Sequence, residues 1–444
     1  MKRNFFTLMA ISLVSLLMVS CSSSDDNDSG GNGNGNTDYL NLPYSKLTPS
    51  AQKKKLSSEG EVIIRQIQDV PNEASVNLIA SFSTLSDDLL SLLNDEVKTK
   101  LDYTETIIKL SQYYGMYKWN FDREEWEKTG DNVGDKLVAV FPANKKATTN
   151  TGKIEVKASG SIVLINGRQV PSKVVADLFV FDAKEGDVTI TTKGINETTL
   201  VETADGIANL GGYKLTANID KKNSSNKAKG QFSKGNDIIL DMYTDLDANI
   251  TVEMLQSDDF ASNVKDINLT LAIGKELVLA GFIDGKSMLP IIDKAEEDLK
   301  KAKEENEAIW NKAYLKYQKA LDDAYEKYRN GEYDWNDRIE AENQAWKEYD
   351  TEYDKIDWYG PEKKYNEVFV TAFNQYTNIA LVDKKEDYKI AKLSLETILT
   401  DWGASKHIYI LNFNDKTPVE ATVFFGDGFE KLVQMWEDFT LKFR

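Results

Sequence analysis

The chain has 444 residues and is strongly acidic, with 72 Asp and Glu against 54 Lys and Arg and a formal net charge of −18. Such a charge repels phosphate backbones, which excludes nucleic acid as an expected partner. Cys21 is the single cysteine and His407 the single histidine, which excludes a disulfide framework and a zinc site built from Cys and His. We therefore predict no metal, no cofactor and no enzymatic activity.

Residues 1–20 have the layout of a signal peptide. Lys2 and Arg3 precede an apolar run over residues 5–19, and Ser20 stands before Cys21. A helix that spans a bilayer needs roughly 20 apolar residues, so this shorter run favours cleavage over a permanent anchor.

The residues around the cleavage point carry a resemblance. Residues 17–21 read Leu-Met-Val-Ser-Cys, which resembles the lipobox of bacterial lipoproteins, with Met18 standing where leucine is usual. The alternative is ordinary signal cleavage with a cysteine nearby by chance, but that cleavage needs a small residue where Met18 stands. The resemblance implies that Cys21 carries several acyl chains, which are enough to hold the protein to a membrane.

Residues 21–38 are predicted to form a flexible tether because they consist mostly of Ser, Asp, Gly and Asn. The acidic start of this tether resembles the export signal of Bacteroidetes surface lipoproteins. That resemblance implies an outer-membrane location facing the cell exterior. The alternative is a solvated linker in a lipoprotein that faces the periplasm.

The folded region is predicted to begin with a helical layer over residues 39–115. Thr48 is a candidate N-cap, Pro49 occupies the first helical position, and the helix is expected to run towards Val70. Further helical spacing covers residues 89–93 and 103–114.

Residues 116–286 are predicted to form a mostly antiparallel sheet with the connectivity of a meander. A hairpin is expected to bring Trp119 and Trp126 into cross-strand contact. The predicted strands cover residues 136–141, 154–158, 161–165, 174–181, 187–192, 213–219, 238–244, 249–255, 267–273 and 277–283.

Residues 287–402 are predicted to form a long antiparallel helical hairpin followed by further helices. Apolar and aromatic residues recur at steps of three or four on both sides of a turn at residues 330–334, as in two helices packed along a seam. Helical spacing then covers residues 365–376 and 388–399.

Residues 403–444 are predicted to contain strands over 408–413 and 420–425 and an amphipathic helix over 429–443, all returning to the middle sheet. The predicted fold class is therefore α+β. An antiparallel meander is flanked by the N-terminal helical layer and by the long C-terminal antiparallel helical hairpin.

Aromatic residues with polar neighbours on the predicted hairpin suggest a binding surface, since such rings offer apolar area together with a polar handle. Trp335, Trp358 and Tyr359 are the candidate ligand-binding residues, because they lie near the ends of the second arm. Packing in the seam is the alternative role for the other rings.

Candidate catalytic and metal-binding residues in the sequence lack the partners that such sites need. His407 stands at a predicted strand start and is not expected to be catalytic, and paired carboxylates cannot be singled out among so many acidic residues. Asp245 and Asp247 have the spacing of the first ligands of a calcium-binding loop. Ile250 stands where that loop needs glycine, so a turn between strands is predicted instead.

We therefore predict a surface-anchored lipoprotein that acts as a non-catalytic binding or adhesion module for a glycan or a protein. The alternative is a carrier that holds a lipid or other hydrophobic ligand in the concave face of the sheet. No sequence pattern predicts an oligomeric state.

Overall fold

The computed structural model describes residues 39–100, 109–131, 133–165, 168–196, 201–222, 224–248, 264–400 and 404–426. The predicted signal peptide, Cys21 and the tether lie outside these ranges. So do the predicted strand over residues 249–255, the first half of the helical stretch over 103–114, and the amphipathic helix predicted over 429–443.

The fold is a mixture of helices and strands, as predicted. The helices are α1 (Pro49–Ile67), α2 (Ala74–Lys100), α3 (Gly285–Arg329), α4 (Trp335–Tyr353) and α5 (Gly360–Tyr376). The strands are β1 (Gly115–Asn120), β2 (Glu125–Gly130), β3 (Leu137–Phe141), β4 (Gly152–Ile165), β5 (Arg168–Val180), β6 (Ala183–Lys193), β7 (Thr203–Leu210), β8 (Tyr213–Lys222), β9 (Ser225–Lys234), β10 (Asp237–Ala248), β11 (Val264–Ile273), β12 (Leu277–Asp284), β13 (Thr377–Asp383), β14 (Tyr388–Leu399), β15 (Ser405–Asn412) and β16 (Pro418–Glu420).

The described strands form one sheet with meander connectivity. Strands β3 to β16 follow one another in chain order, and β1 lies between β3 and β2. Neighbours pair antiparallel, as β4 does with β5, whereas β1 pairs with β3 in parallel. Strand β13 lies next to β12, and β14, β15 and β16 follow it in the same sheet.

The chain divides into two compact units. One is built from residues within Met1–Gly285, Asn378–Leu393 and Leu411–Arg444, and the other from Lys286–Thr377 and Ser394–Ile410.

Helix α1 begins where the sequence predicts. The Thr48 side chain accepts a hydrogen bond from the backbone N–H of Ala51 at 3.3 Å, and Pro49 occupies the first turn, where its missing N–H costs nothing. The helix ends at Ile67, and its Ile63 packs in a core cluster with Tyr213 and other residues of the sheet.

Helix α2 covers β1 to β5 with an aromatic core. Leu78, Phe141 and Tyr117 are fully buried in this cluster. The predicted hairpin is confirmed, because Trp119 pairs with Trp126 across β1 and β2 and their ring centroids lie 5.8 Å apart. This cluster is the largest described core of the first unit.

Two of the predicted strands are one strand. Residues 154–158 and 161–165 both belong to β4, where Gly160 has a φ of +78° and the pairing with β5 shifts register between Ser159 and Ile162. The glycine therefore marks a β-bulge within a strand, not the end of one.

Three strands are not predicted from the sequence. Strands β7 and β9 both contain glycine and asparagine, β9 also contains lysines, and both have few β-branched residues, so intrinsic propensity does not predict them. Strand β13 directly follows α5. Pairing with neighbours on both sides stabilises these strands in the sheet.

The helix predicted over residues 388–399 is wrong, since these residues form β14. Residues four apart lie on one face of a strand and also near one face of a helix, so the spacing of Ala391, Leu395 and Leu399 imitates a helix. The strand predicted over residues 420–425 is also wrong, because β16 ends at Glu420 and residues 421–426 are helical. Asp245 and Asp247 lie within β10, which corrects the predicted turn.

Candidate functional site: an aromatic groove on α3 and α4

Helices α3 and α4 contact each other through residue pairs whose numbers run in opposite directions. Trp310 Nε1 donates a hydrogen bond to the Tyr349 hydroxyl at 3.0 Å, whereas Tyr328, further along α3, packs against Trp335 at the start of α4 with ring centroids 5.9 Å apart. The break between the helices, after Arg329 and before Trp335, matches the predicted position.

A capping box fixes the first turn of α4. The Asp334 carboxylate accepts hydrogen bonds from the backbone N–H groups of Asn336 and Asp337, and the Asp337 carboxylate accepts one from the N–H of Asp334. This arrangement satisfies backbone donors that a helix start otherwise leaves unpaired. It therefore orders the turn that carries Trp335 and Arg338.

Small residues line the contact between the two helices. Ala313, Ala324 and Ala345 expose 7%, 3% and 7% of their surface. Because alanine takes little room, the backbones can approach closely there, and the larger rings lie along the margins of the contact. This explains why many aromatic side chains of α3 and α4 remain half exposed.

A row of aromatic rings follows one margin. Neighbouring rings in this row have centroids between 5.4 and 6.4 Å apart, in stacked, tilted and T-shaped arrangements that aromatic pairs favour. The aromatic row comprises Trp310, Tyr314, Tyr317, Trp346, Tyr349, Tyr353 and Trp358.

A second aromatic cluster surrounds Arg338. Its guanidinium carbon lies 5.2 Å from the ring centroid of Tyr325, 5.6 Å from that of Tyr328 and 5.3 Å from that of Trp335, all within cation–π range. Arg338 Nε also donates a hydrogen bond to Glu342 at 2.6 Å. These contacts together hold the guanidinium in a defined position.

An open groove of about 540 Å³ lies between the aromatic row and the Arg338 cluster. Its size falls within the range of about 300–1,000 Å³ that is usual for ligand sites. Of its nine lining side chains, only that of Leu321 has no polar atom. The groove is lined by Tyr317, Gln318, Leu321, Asp322, Tyr325, Arg338, Glu342, Asn343 and Trp346.

The groove combines ring faces with hydrogen-bonding groups of both kinds. Trp346 and Tyr325 expose 51% and 52% of their surface, so their rings are available to a ligand. Gln318 and Asn343 carry amides that both donate and accept. With Asp322 and Glu342 against a single Arg338, the lining has more carboxylates than cationic groups.

The three residues predicted from the sequence are exposed but do not form one site. Trp335 exposes 56% of its surface, Trp358 37% and Tyr359 49%. Trp335 begins α4, whereas Trp358 and Tyr359 follow its end, and a 19-residue helix is about 28 Å long. Trp335 is linked to the groove through Arg338, while Trp358 packs on Tyr353 with centroids 5.9 Å apart.

The groove residues themselves were missed because the helical spacing assigns Trp346 to the seam. The signal was the four-residue step shared by both arms, with Tyr317, Leu321 and Tyr325 on α3 and Arg338, Glu342 and Trp346 on α4. Residues at such steps lie on one helix face, and two facing stripes of mixed aromatic and polar residues define a groove.

His407 lies in an aromatic environment in β15. Its ring centroid is 5.2 Å from that of Phe369 on α5 and 6.4 Å from that of Tyr409. Burial raises the pKa of Tyr409 to about 12. This setting supports a packing role for the histidine.

Within the described ranges, no group of three or more His, Cys, Asp or Glu side chains is arranged to hold a metal ion. No helix of the described chain is both long and apolar enough to cross a membrane.

Comparison with known proteins does not indicate a function for the groove. No known protein family, curated protein or solved structure matches the chain. The residues that line the groove therefore carry the functional interpretation.

Proposed function

We propose that this protein is a non-catalytic binding module, anchored to the cell surface by lipid, which binds a neutral glycan in the groove between α3 and α4. The observation that carries the proposal is the pairing of the exposed rings of Trp346 and Tyr325 with amide, carboxylate and guanidinium groups in one groove.

Sugars present the two kinds of surface that this lining complements. A pyranose ring has an apolar face of C–H groups that can lie on an aromatic ring, and a rim of hydroxyls that donate and accept hydrogen bonds. The rings of Tyr317 and Trp346 are 5.8 Å apart at one end of the groove, and Tyr325 and Arg338 form the other end. A ligand with several sugar units would meet rings at both ends.

The charges of the lining favour a neutral glycan over an anionic one. Arg338 already donates to Glu342 at 2.6 Å, and Asp322 adds a second carboxylate. A uronate or sulfated sugar would therefore meet repulsion from the lining and from the net charge of −18. A basic protein segment is the competing ligand, because it would be attracted by the same charges.

Helices α3 and α4 provide an ordered scaffold for the groove. We infer that α3 and α4 form the long antiparallel helical hairpin predicted from the sequence, with the groove along one side. Helices hold side chains more rigidly than loops do, and binding costs less when the site is ordered in advance.

The predicted location at the outer membrane is compatible with binding of extracellular ligands. Lipid on Cys21 would hold the chain to the outer membrane, and the tether over residues 21–38 would let the folded part reach ligands beyond it. The membrane is thus a partner through the lipid alone, and nucleic acid is not a partner.

A glycan array tests the proposal. The mature chain without its lipid is expected to bind neutral oligosaccharides, and Trp346→Ala should weaken that binding about 30-fold. Trp358→Ala is the matched control, because Trp358 is an exposed tryptophan outside the groove lining. Binding that Trp346→Ala leaves undiminished would refute the site, and binding restricted to proteins would refute the glycan as the ligand.

A further inference from the structure

The β-hairpin of β4 and β5 continues beyond its pairing with β3 and β6. Strand β3 pairs with β4 as far as Val156, and β6 pairs with β5 as far as Lys173. Beyond these points β4 and β5 still pair with each other, up to Ile165 with Arg168. Residues 168–172 of β5 alone extend about 16 Å at about 3.3 Å per residue. We name this part the hairpin end, and it comprises residues 157–165 and 168–173.

A bulge determines which side of the hairpin end the last residues of β4 face. Ser159 pairs with Lys173. The next pair, Ile162 with Pro171, lies three residues further along β4 but only two along β5. The extra residue reverses the alternation of side chains in β4. Ile162 therefore lies on the same side as Lys173, and Leu164 does too, because it follows Ile162 by two residues.

Local contacts fix the bulge and the strand beside it. Gly160 has a φ of +78°, and a Cβ there would lie 2.3 Å from Ser172 Oγ. The Ser172 hydroxyl accepts a hydrogen bond from the backbone N–H of Ser161 at 2.9 Å. The side chain of Gln169 accepts one from the backbone N–H of Leu110 at 3.2 Å, which ties the hairpin end to the chain before β1. The arrangement of the hairpin end is therefore well defined.

The hairpin end presents two aliphatic side chains to solvent. Ile162 exposes 55% of its surface and Leu164 48%. They are neighbours on one side of one strand, in the part of the hairpin that extends furthest. Exposed aliphatic residues grouped in this way mark an interaction surface, whereas single ones do not.

The hairpin end is basic although the chain is acidic. Residues 156–176 contain three cationic side chains and no Asp or Glu, in a chain with a net charge of −18. Two of these cations, Lys157 and Lys173, are exposed and lie on the side of Ile162 and Leu164. Along β5, Lys173 lies about 7 Å behind the level of Ile162 and about 13 Å behind that of Leu164.

We propose that the hairpin end binds an anionic lipid surface and inserts Ile162 and Leu164 into it. Apolar side chains of interfacial elements enter the boundary between headgroups and acyl chains by about 5–10 Å. At that depth of Leu164, Lys173 lies at the level of the lipid phosphates. Cations in this position are attracted by anionic lipids. The order of aliphatic and basic residues along the hairpin end therefore matches the order of acyl chains and phosphates in a lipid leaflet.

The acidity of the remaining chain does not prevent this contact. Interactions between exposed charges are screened beyond about 8 Å at physiological ionic strength, and the hairpin end extends about twice as far beyond its pairing with β6. The first carboxylates behind it, Glu155 and Asp177, are cross-strand neighbours. Glu155 lies 2.5 Å from Lys136, and Asp177 lies 2.7 Å from Lys184. Their charges are therefore offset locally.

This contact goes beyond glycan binding in the groove. Lipid on Cys21 would hold the chain through a flexible tether, which leaves the first unit able to turn in any direction. The hairpin end would add a second attachment to the same membrane, at a high effective concentration. It would therefore determine which side of the first unit faces the lipid.

Vesicle flotation tests the proposal. The chain from residue 22 onward, which lacks the lipidated cysteine, is expected to float with vesicles made of phosphatidylcholine and phosphatidylglycerol in equal parts. Leu164→Asp should weaken this binding at least about tenfold, because an inserted aliphatic side chain is lost. Leu315→Asp is the matched control and should bind normally, since Leu315 is an aliphatic residue of α3 that exposes 67% of its surface.

The charge contribution has its own test. Lys157→Gln combined with Lys173→Gln should weaken binding about 25-fold, because each lysine near an anionic surface contributes about fivefold. On vesicles of phosphatidylcholine alone, the double variant should bind as the wild type does. Lys222→Gln combined with Lys300→Gln removes the same charge from exposed lysines elsewhere and should leave binding unchanged.

A dye reports insertion directly. The chain from residue 22 onward contains no cysteine, so an introduced thiol is labelled uniquely. The emission of a polarity-sensitive dye on Leu164→Cys should move to shorter wavelengths when vesicles are added, whereas the same dye on Leu315→Cys should not respond. Circular dichroism would confirm that each variant is folded.

Three results would overturn the proposal. They are a wild-type chain that does not float, an equal loss of binding in Leu164→Asp and Leu315→Asp, and a dye on Leu164→Cys that does not respond to vesicles. A second copy of the chain is the competing partner of the hairpin end. Sedimentation velocity without vesicles should show a monomer, and a dimer that Leu164→Asp dissociates would also overturn the proposal.

Discussion

The groove on α3 and α4 and the side of strands β8 to β11 that carries Ala217, Met242 and Leu269 are both rich in apolar groups, but they differ in chemistry. In the groove, eight of nine lining side chains carry polar atoms, and rings such as Trp346 and Tyr325 are about half exposed. That side of β8 to β11 is built of aliphatic residues that are half-buried or buried, such as Leu269 and Ala217. The rings of the groove are available to a ligand, whereas the aliphatic side chains of the sheet lie mostly away from water in the folded chain.

Because of this difference, we expect the groove to serve ligand recognition and the aliphatic side of the sheet to serve folding. An aromatic ring beside a guanidinium and a carboxylate can offer directional hydrogen bonds, and it loses little by exposure to solvent. A smooth aliphatic face offers area without direction, so its natural partner is another apolar element of the fold. Substitutions in the two regions should therefore affect different properties.

The largest expected effect is on the aliphatic side of β8 to β11. Leu269→Asp should lower the free energy of unfolding by about 3 kcal/mol, because a charge would replace a half-buried aliphatic side chain. Thr270→Asp, on the opposite side, should change it by less than about 0.5 kcal/mol. Urea unfolding followed by circular dichroism measures both values, and equal values would show that the two sides of β11 are equally open to water.

The next effect belongs to the groove. Trp346→Ala should weaken glycan binding by about 2 kcal/mol, or about 30-fold, since truncation of a central aromatic residue has such an effect at binding sites. The free energy of unfolding should change little, because half of the side chain is exposed. Calorimetry gives the affinity and urea unfolding the stability; a loss of stability larger than the loss of affinity would make Trp346 a core residue.

A smaller effect is expected at Arg338. Arg338→Lys keeps the charge but loses the flat guanidinium that lies 5.2 to 5.6 Å from three ring centroids. Glycan affinity should fall by about 1 kcal/mol, roughly fivefold. Lys316→Arg, at an exposed pair with Glu348 outside the groove lining, is the matched control and should bind normally.

The smallest effect concerns pH and lies outside both regions. Burial raises the pKa of Tyr409 from 10.0 to about 12 in the folded protein. Between these values the unfolded tyrosine ionises and the folded one does not, so stability present below pH 10 should be lost as the pH rises towards 12. Tyr409→Phe should make the decline of unfolding free energy over this range less steep. An unchanged pH profile would contradict the shift.

Much of the fold follows from local patterns in the sequence. Thr48 and Pro49 predict the start of α1, and the alternation around Trp119 and Trp126 predicts the first hairpin. The long apolar repeat predicts the helices up to the break at residues 330–334. These signals succeed because caps, turns and periodic burial act over a few residues.

The misses have nonlocal causes. Strands β7 and β9 are stabilised by neighbours on both sides more than by their own propensity. The four-residue steps of Ala391, Leu395 and Leu399 fit one face of a strand as well as a helix, and only the sheet around β14 decides between the two. In the groove, the sequence indicates which helices carry exposed rings. It cannot show that Arg338 gathers Tyr325 and Trp335, because that depends on how α3 packs against α4.

A calorimetric double-mutant cycle on the groove tests the central claim most directly. A neutral oligosaccharide selected on the array would be titrated into the wild-type chain, Trp346→Ala, Tyr325→Ala and the double variant. If the glycan lies along the groove, each single change should weaken binding by at least about 1 kcal/mol and the double variant should show no measurable binding. Full-strength binding by the double variant would contradict the account.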